Sequence, residues 1–356
     1  MTANALTENA ARSAYPSYER MAFFTDTSVC IGCKACEVAC KEWNRNPVEE
    51  FSLSGDSYDN TGGLGANTWR HVAFVEQNQE DIDNARSEGA ELVSLGMPTV
   101  GSSDKATDTH DVTPPDTDNF RWLMSSDVCK HCAHAGCLDV CPTGALFRTE
   151  YGTVVVQDDV CNGCGTCVAG CPFGVIQRRD DGGVTLKTDK TATVGNEYQP
   201  HANQNLLAGL LGKRSSSTDH TPGKEMPIKN IGVAQKCTMC YDRLKMGEQP
   251  ACAKTCPTES IQFGTYDEML RRAKKRVAEL HEQGMTEARL YGANDGDGVG
   301  GTGSIFLLLD SPEVYGLPPD PRVPTLDLPG LGKTLAKAVG GMAVAAAASF
   351  VIGGRK

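Results

Sequence analysis

Sixteen cysteines stand in four groups of four, and none is left over. The first run is Cys30-x2-Cys33-x2-Cys36-x3-Cys40, and the second is Cys129-x2-Cys132-x4-Cys137-x3-Cys141-Pro142. The third is Cys161-x2-Cys164-x2-Cys167-x3-Cys171-Pro172, and the fourth is Cys237-x2-Cys240-x11-Cys252-x3-Cys256-Pro257. A spacing of two residues lets a tight loop aim successive sulfurs at one centre. In the third run, three thiolates suit one [4Fe–4S] cluster, and the fourth cysteine leads the chain away to a neighbouring cluster. Gly163 and Gly165 let that loop curl closely, and the proline after the last cysteine has a fixed φ and no N–H to satisfy. A bare pair of CxxC motifs would favour zinc, but the full run with its proline favours iron and sulfide. His131 and His134 inside the second run raise a mixed Cys/His zinc site as the alternative.

The runs pair by proximity. Runs two and three are separated only by a stretch in which Ala145–Arg148 and Gly152–Val156 can form a β-hairpin. Loop, hairpin and loop make the pseudo-twofold ferredoxin arrangement. Runs one and four then pair across nearly the whole chain. With the fourth cysteine exchanged, Cys30, Cys33, Cys36 and Cys256 hold one centre, and Cys237, Cys240, Cys252 and Cys40 hold its neighbour. In the other module Cys129, Cys132, Cys137 and Cys171 hold one centre, and Cys161, Cys164, Cys167 and Cys141 hold the other. If each run instead closed on itself, there would still be four [4Fe–4S] clusters with a different assignment.

Several elements must position these loops. The alternation in Thr68–Glu76 predicts a strand with His71 on its surface, and Ser304–Leu309 predicts an apolar strand. Thr265 and Glu268 form a capping box for a helix ending near Gly284, with Met269, Leu270, Ala273, Val277 and Leu280 on one face. Its other faces carry Arg271, Arg272, Lys274, Lys275 and Arg276, which read as a solvated surface before they read as a site for acidic lipid or an acidic partner. Trp43 is expected to pack against the first loop. Lys236, Arg243, Lys245 and Lys254 surround the fourth run and can offset the negative charge of a thiolate-ligated cluster. Residues 77–118 and 181–234 read as insertions, the latter with an apolar patch at Leu206–Leu211. Residues 338–354 hold no charge, and ten of these seventeen are Ala or Gly. A membrane-embedded helix is the first reading of that stretch, and a helix packed on protein the second.

Composition removes other classes. Lys+Arg 34 against Asp+Glu 45 makes nucleic acid an unsuitable partner. A secreted disulfide protein would be shorter and would scatter its cysteines. The opening Met1–Arg20 is polar and is not a secretory signal, so a role outside the cytoplasm would need a partner to carry the folded chain. The Gly-rich stretches fit neither a phosphate loop nor a dinucleotide fingerprint. No general acid–base pair stands out and every cluster has four thiolates, so no catalytic residue is assigned. Fully ligated centres in series fit one-electron conduction.

The chain resembles the four-cluster iron–sulfur subunits of molybdopterin oxidoreductase complexes, and among them the β subunits of membrane-bound formate dehydrogenases. The likeness lies in Cys30–Asn44, in Glu248–Thr258, in Phe263–Leu270 and in Gly298–Thr302. It implies an α+β fold of two ferredoxin-like di-cluster domains with long loop insertions and a C-terminal helix. The expected division is a tail (1–22), one domain from 23–119 with 235–325, a second from 120–180, an insertion (181–234), and a connector with the C-terminal helix (326–356). The likeness also implies a catalytic subunit with molybdenum or tungsten bis-pterin, a membrane cytochrome b subunit that reduces quinone, and a place at the cell membrane. The equivalent subunit of a nitrate, sulfoxide or polysulfide reductase is the second reading, and a structural zinc protein is the reading of another class.

Overall fold

A computed structural model describes residues 19–47, 62–95, 120–179, 230–326 and 328–353. Most of the tail, the proline-containing stretch 96–119 and nearly all of 181–234, with its Leu206–Leu211 patch, lie outside the described residues. The chain begins with β1 (Met21–Asp26), α1 (Ala35–Asn44), β2 (Arg70–Asn78), α2 (Gln79–Ser94) and β3 (Phe120–Val128). Two short helices, α3 (Gly136–Asp139) and α4 (Thr166–Ala169), flank β4 (Leu146–Arg148) and β5 (Val154–Val156). Then come β6 (Gln177–Arg178), β7 (Ala234–Gln235), α5 (Tyr241–Lys245), α6 (Ala251–Lys254) and β8 (Ile261–Thr265). The chain ends with α7 (Tyr266–Glu282), β9 (Arg289–Tyr291), β10 (Ser304–Leu308) and α8 (Leu328–Gly353).

A four-stranded sheet in the order β8-β1-β10-β9 forms the centre. Its two inner strands, Met-Ala-Phe-Phe-Thr-Asp and Ser-Ile-Phe-Leu-Leu, are nearly continuous apolar runs, as strands covered on both faces must be. They pair in parallel, with Phe23 opposite Ser304 and Asp26 opposite Leu307. On the other side β1 meets β8 antiparallel, with Thr25 opposite Ile261. The end of β1 leads straight to Cys30, and the start of β8 follows directly on Cys256. This pairing therefore brings runs one and four, from opposite ends of the chain, to the same end of the sheet.

Helix α7 covers the sheet with Met269, Ala273, Val277 and Leu280, all buried. Its start follows the sequence reading in part: the Thr265 hydroxyl accepts from the Glu268 amide at 3.4 Å. The Glu268 carboxylate, however, accepts from Arg272 at 2.5 Å, one turn on. The basic faces find ordinary partners, Lys275 with Glu279 at 3.5 Å and Arg276 with Asp26 at 2.9 Å.

β2 and β3 make a long antiparallel arm running from Arg70 opposite Val128 to Asn78 opposite Phe120. The acidic segment after β2, read from the sequence as an insertion, opens with the helix α2. Asn78 and Asp81 cap it reciprocally, and Ile82, Ala85 and Gly89 face inward. Gly89 rests so closely on the chain at Thr286 that a Cβ there would collide with the Thr286 carbonyl oxygen. His71, expected on a strand surface, is buried with its Nδ1 3.7 Å from the Glu37 carboxylate.

The expected hairpin between runs two and three is present, with Leu146 opposite Val156. β6 follows run three and β7 precedes run four, and the two pair with Gln177 opposite Gln235. The chain thus leaves for 180–229 and returns at one place.

The C-terminal reading needs a correction. A helix forms from Leu328 to Gly353, but among the described residues no helix is long and apolar enough to cross a membrane.

Candidate functional site

The loop after β1 presents Cys30 and Cys33, and α1 presents Cys36. Gly32, in the middle, has φ 63°, and a Cβ on it would lie 2.5 Å from Met124 Sδ and 2.7 Å from the Phe74 ring. Glycine there lets the loop lie flat on the β2–β3 arm. A cavity is lined by Cys30, Cys33, Cys36 and Cys256 together. The Cys36 sulfur lies 3.2 Å from Ser126 Oγ. Burial raises the Cys30 thiol above its ordinary pKa, and the neighbouring Cys256 and Cys33 add to the rise. Burial also pushes Cys36 up to about 11, partly opposed by Arg70.

Cys40 follows Cys36 by one helical turn and so lies on the same side of α1. It is wholly buried, and burial followed by the nearness of Cys237, Cys252 and Cys240 raises its pKa far above normal. Cys240, at the start of α5, is pushed up to about 12 by burial and by Cys252 on α6. Trp43 joins α1 to α5: its Nε1 donates to Asp242 at 2.8 Å, and the Arg243 guanidinium lies 4.2 Å over its ring. This is packing between runs one and four.

A second cavity is lined by Cys129, Cys132, Cys137 and Cys171. Lys130, His131 and Lys236 also line it. Burial and the surrounding Cys129, Cys171 and Cys137 raise the Cys132 thiol. His131 Nδ1 accepts from the Val154 amide at 3.1 Å, and burial and the nearby Lys236 keep the ring's pKa low. His131 therefore serves the hairpin. Finally, Cys167 on α4 is pushed up to about 12 by burial, then by Cys161, Cys141 and Cys164. Cys141 is held below the ordinary thiol value. Its slight burial is outweighed by the amides of Leu146, Thr143 and Ala145 and by the Thr143 hydroxyl.

The sets adjoin in a row. Cys36 lies near enough to feel Cys252, Cys237 feels Cys129, and Cys137 feels Cys167. Exposure follows the same order: Cys33 at one end and Cys164 at the other are exposed, whereas Cys40, Cys237, Cys240 and Cys252 are all buried. All sixteen thiols are free. Among the described residues, no group of three or more His, Cys, Asp and Glu is drawn together tightly enough for a single metal ion. At the two cavities the thiols stand around a space instead, the arrangement a multi-atom group needs. Helices α3 and α4 touch closely: a Cβ on Gly136 would lie 2.5 Å from the Gly170 carbonyl oxygen.

Of the cations flagged around run four, Lys236 is buried and lines the Cys129 cavity, and Arg243 pairs with Glu248 at 2.6 Å. Lys245 lies 4.4 Å over the Tyr241 ring, and Lys254 is exposed to solvent. The cation that sequence reasoning passed over is Arg70, 1% exposed. A signal existed: Arg70, Val72 and Phe74 alternate onto one face of a strand, and a charge on such a face is unusual.

Two family models described as 4Fe-4S dicluster domains match the chain, one over 29–145 and the other over 120–211 and 222–266. The chain is 33% identical over 304 residues to "Formate dehydrogenase, nitrate-inducible, iron-sulfur subunit" of Escherichia coli (strain K12), covering 84% of this chain and 73% of that protein. It is 32% identical over 333 residues to "Formate dehydrogenase iron-sulfur subunit" of Haemophilus influenzae, covering 92% and 78%. It is 26% identical over 250 residues to the B subunit of the anaerobic dimethyl sulfoxide reductase of Escherichia coli (strain K12), covering 70% and 76%.

Proposed function

The chain belongs to the iron–sulfur subunit family of formate dehydrogenases, and from that membership we propose that it carries electrons through four [4Fe–4S] clusters. They pass between a molybdopterin-containing (Mo or W) catalytic subunit and a downstream acceptor such as a membrane cytochrome b and quinone. The proposed ligands are Cys30, Cys33, Cys36 and Cys256; Cys237, Cys240, Cys252 and Cys40; Cys129, Cys132, Cys137 and Cys171; and Cys161, Cys164, Cys167 and Cys141. The observation that carries this reading is a cavity lined by thiols from opposite ends of the chain, Cys30, Cys33 and Cys36 with Cys256.

The clusters, when bound, supply one-electron carriers. The chain's own residues do the rest. Its thiols must give up their protons to metal, and their raised pKa values make that release part of loading. Burial keeps water from the set of Cys237, Cys240, Cys252 and Cys40. The exposed ends, with Cys33 and Ile31 in the first loop and Cys164 and Val168 in the last, leave the first and last sets open to partners.

The test is anaerobic isolation of the full chain with its partners, followed by metal analysis and EPR. Iron and acid-labile sulfide sufficient for four clusters, molybdenum or tungsten in the complex, and EPR signals that grow on adding formate are expected. Stoichiometric zinc with scarcely any iron would end the proposal. Signals indifferent to formate but lost on adding a sulfoxide would favour the reductase reading, which the likeness to the dimethyl sulfoxide reductase subunit supports.

A further inference from the structure

Arg70 opens β2 on the inward face of the arm. Its guanidinium carbon lies 4.9 Å over the Phe23 ring. Nη1 donates to Ser126 Oγ at 2.9 Å and to the Ser126 carbonyl at 3.3 Å. The same Ser126 Oγ stands 3.2 Å from Cys36 Sγ. The other two nitrogens, Nε and Nη2, are buried without a hydrogen-bond partner. No carboxylate among the described residues pairs with this side chain.

An arginine cannot shed its proton to relieve such a situation, and burying it without a counter-ion is costly. The other buried cations differ. Lys130 pairs with Asp127, and Lys236 donates to the carbonyls of Val154 and Cys237. Around Arg70 the groups that can become anions are sulfurs: burial works against its charge, and Cys252, Cys36, Cys237 and Cys40, in that order, are the groups near enough to favour it. One of these four belongs to the set of Cys30, and three belong to the set of Cys237.

We infer that Arg70 is the shared counter-ion of the first two cluster sites, with its fixed charge between Cys36 and the Cys237, Cys252 and Cys40 group and its Nε and Nη2 protons kept for sulfur acceptors. The inference rests on the four-cluster reading above. A one-electron reduction at either site adds one negative charge beside the guanidinium, and no bond is made or broken. A fixed positive charge therefore favours the reduced state at both sites, and its removal lowers both potentials together. Ser126 acts on the Cys36 side alone.

The experiment is an EPR-monitored titration of the full-length chain in its complex, reduced stepwise with dithionite, comparing wild type with Arg70→Gln, Arg70→Lys and Ser126→Ala. Iron and sulfide are counted in each preparation. In Arg70→Gln the reduced-to-oxidised ratio of two signals should fall at least tenfold at fixed potential, about 59 mV for a one-electron couple. The other two signals should not move. Arg70→Lys should recover most of both shifts, and Ser126→Ala should move one signal only. Four unchanged potentials in a fully loaded Arg70→Gln, or a shift confined to one signal, would overturn the inference. If Arg70→Gln loses iron, a loaded Arg70→Lys with near wild-type potentials supports the role of charge, whereas equal iron loss in Arg70→Lys overturns it. Failure of the four-cluster reading is seen separately, as missing iron or signals in the wild type.

Discussion

Replacing Glu287 by alanine should loosen the β2–β3 arm and leave the central sheet intact. The Glu287 carboxylate is wholly buried and accepts from Arg121 Nη1 at 2.6 Å. Arg121 is also buried, and it donates to Gln77 Oε1 at 2.9 Å and to the Leu309 carbonyl at 3.1 Å. Gln77 in turn donates to Asp310. The network therefore joins the arm to the segments on either side of β9 and β10. Removing one member of a buried ion pair costs about 3–5 kcal/mol, because the remaining charge stays desolvated. Arg121 keeps two acceptors, so the lower end, about 3 kcal/mol, is expected. At 1.4 kcal/mol per tenfold, that is about a hundredfold in the opening equilibrium. Hydrogen exchange by mass spectrometry should find amides of residues 70–94 and 120–128 exchanging about a hundredfold faster, with those of β1 and β10 unchanged. Glu287→Ala combined with Arg121→Met should return towards wild type, since the buried Arg121 charge is gone and Arg86, 3.8 Å from Glu287, is partly exposed to solvent. Exchange of the arm within twofold of wild type in the single variant would refute the reasoning, as would a double variant no better than the single.

Three other outcomes are expected. Cys256→Ser should abolish the same EPR signal as Cys33→Ser, with about a quarter of the iron lost; sharing a signal with Cys240→Ser would mean that run four closes on itself. Gly136→Ala drives a Cβ to 2.5 Å from the Gly170 carbonyl, so it should lower stability by about 1–3 kcal/mol. A holoprotein melting temperature equal to wild type would mean that α3 and α4 part freely. Replacing residues 181–229 with a short turn should leave iron content unchanged, because β6 and β7 already bring the ends together; loss of iron would show that the segment supports the clusters.

The sequence was most legible where spacing is local. The hairpin between runs two and three and the helix after Thr265 follow from patterns a few residues long, and both are present. The pairing of β1 with β10 joins residues separated by most of the chain, and no local pattern encodes it. Helix α2 escaped because its inward residues, Ile82, Ala85 and Gly89, make a weak stripe among acids, and its cap uses Asp81 in place of the usual Glu or Gln. His71 was misjudged because alternation tells which residues share a face and not what covers it: Glu37 of α1 lies over that face. The C-terminal helix was legible as a helix.

Cys36 and Cys40 ride on one rigid rod. Four residues of α-helix advance about 6 Å, so on the proposed ligation the pitch of α1 acts as a ruler between the anchor points of two neighbouring centres. Thermal breathing of loops can jostle each centre, but it cannot stretch that gauge. A single residue inserted between the two cysteines would swing the second about 100° around the rod. A change in the length of α1 between Cys36 and Cys40 therefore matters in a way that a substitution at its exposed Val38 does not.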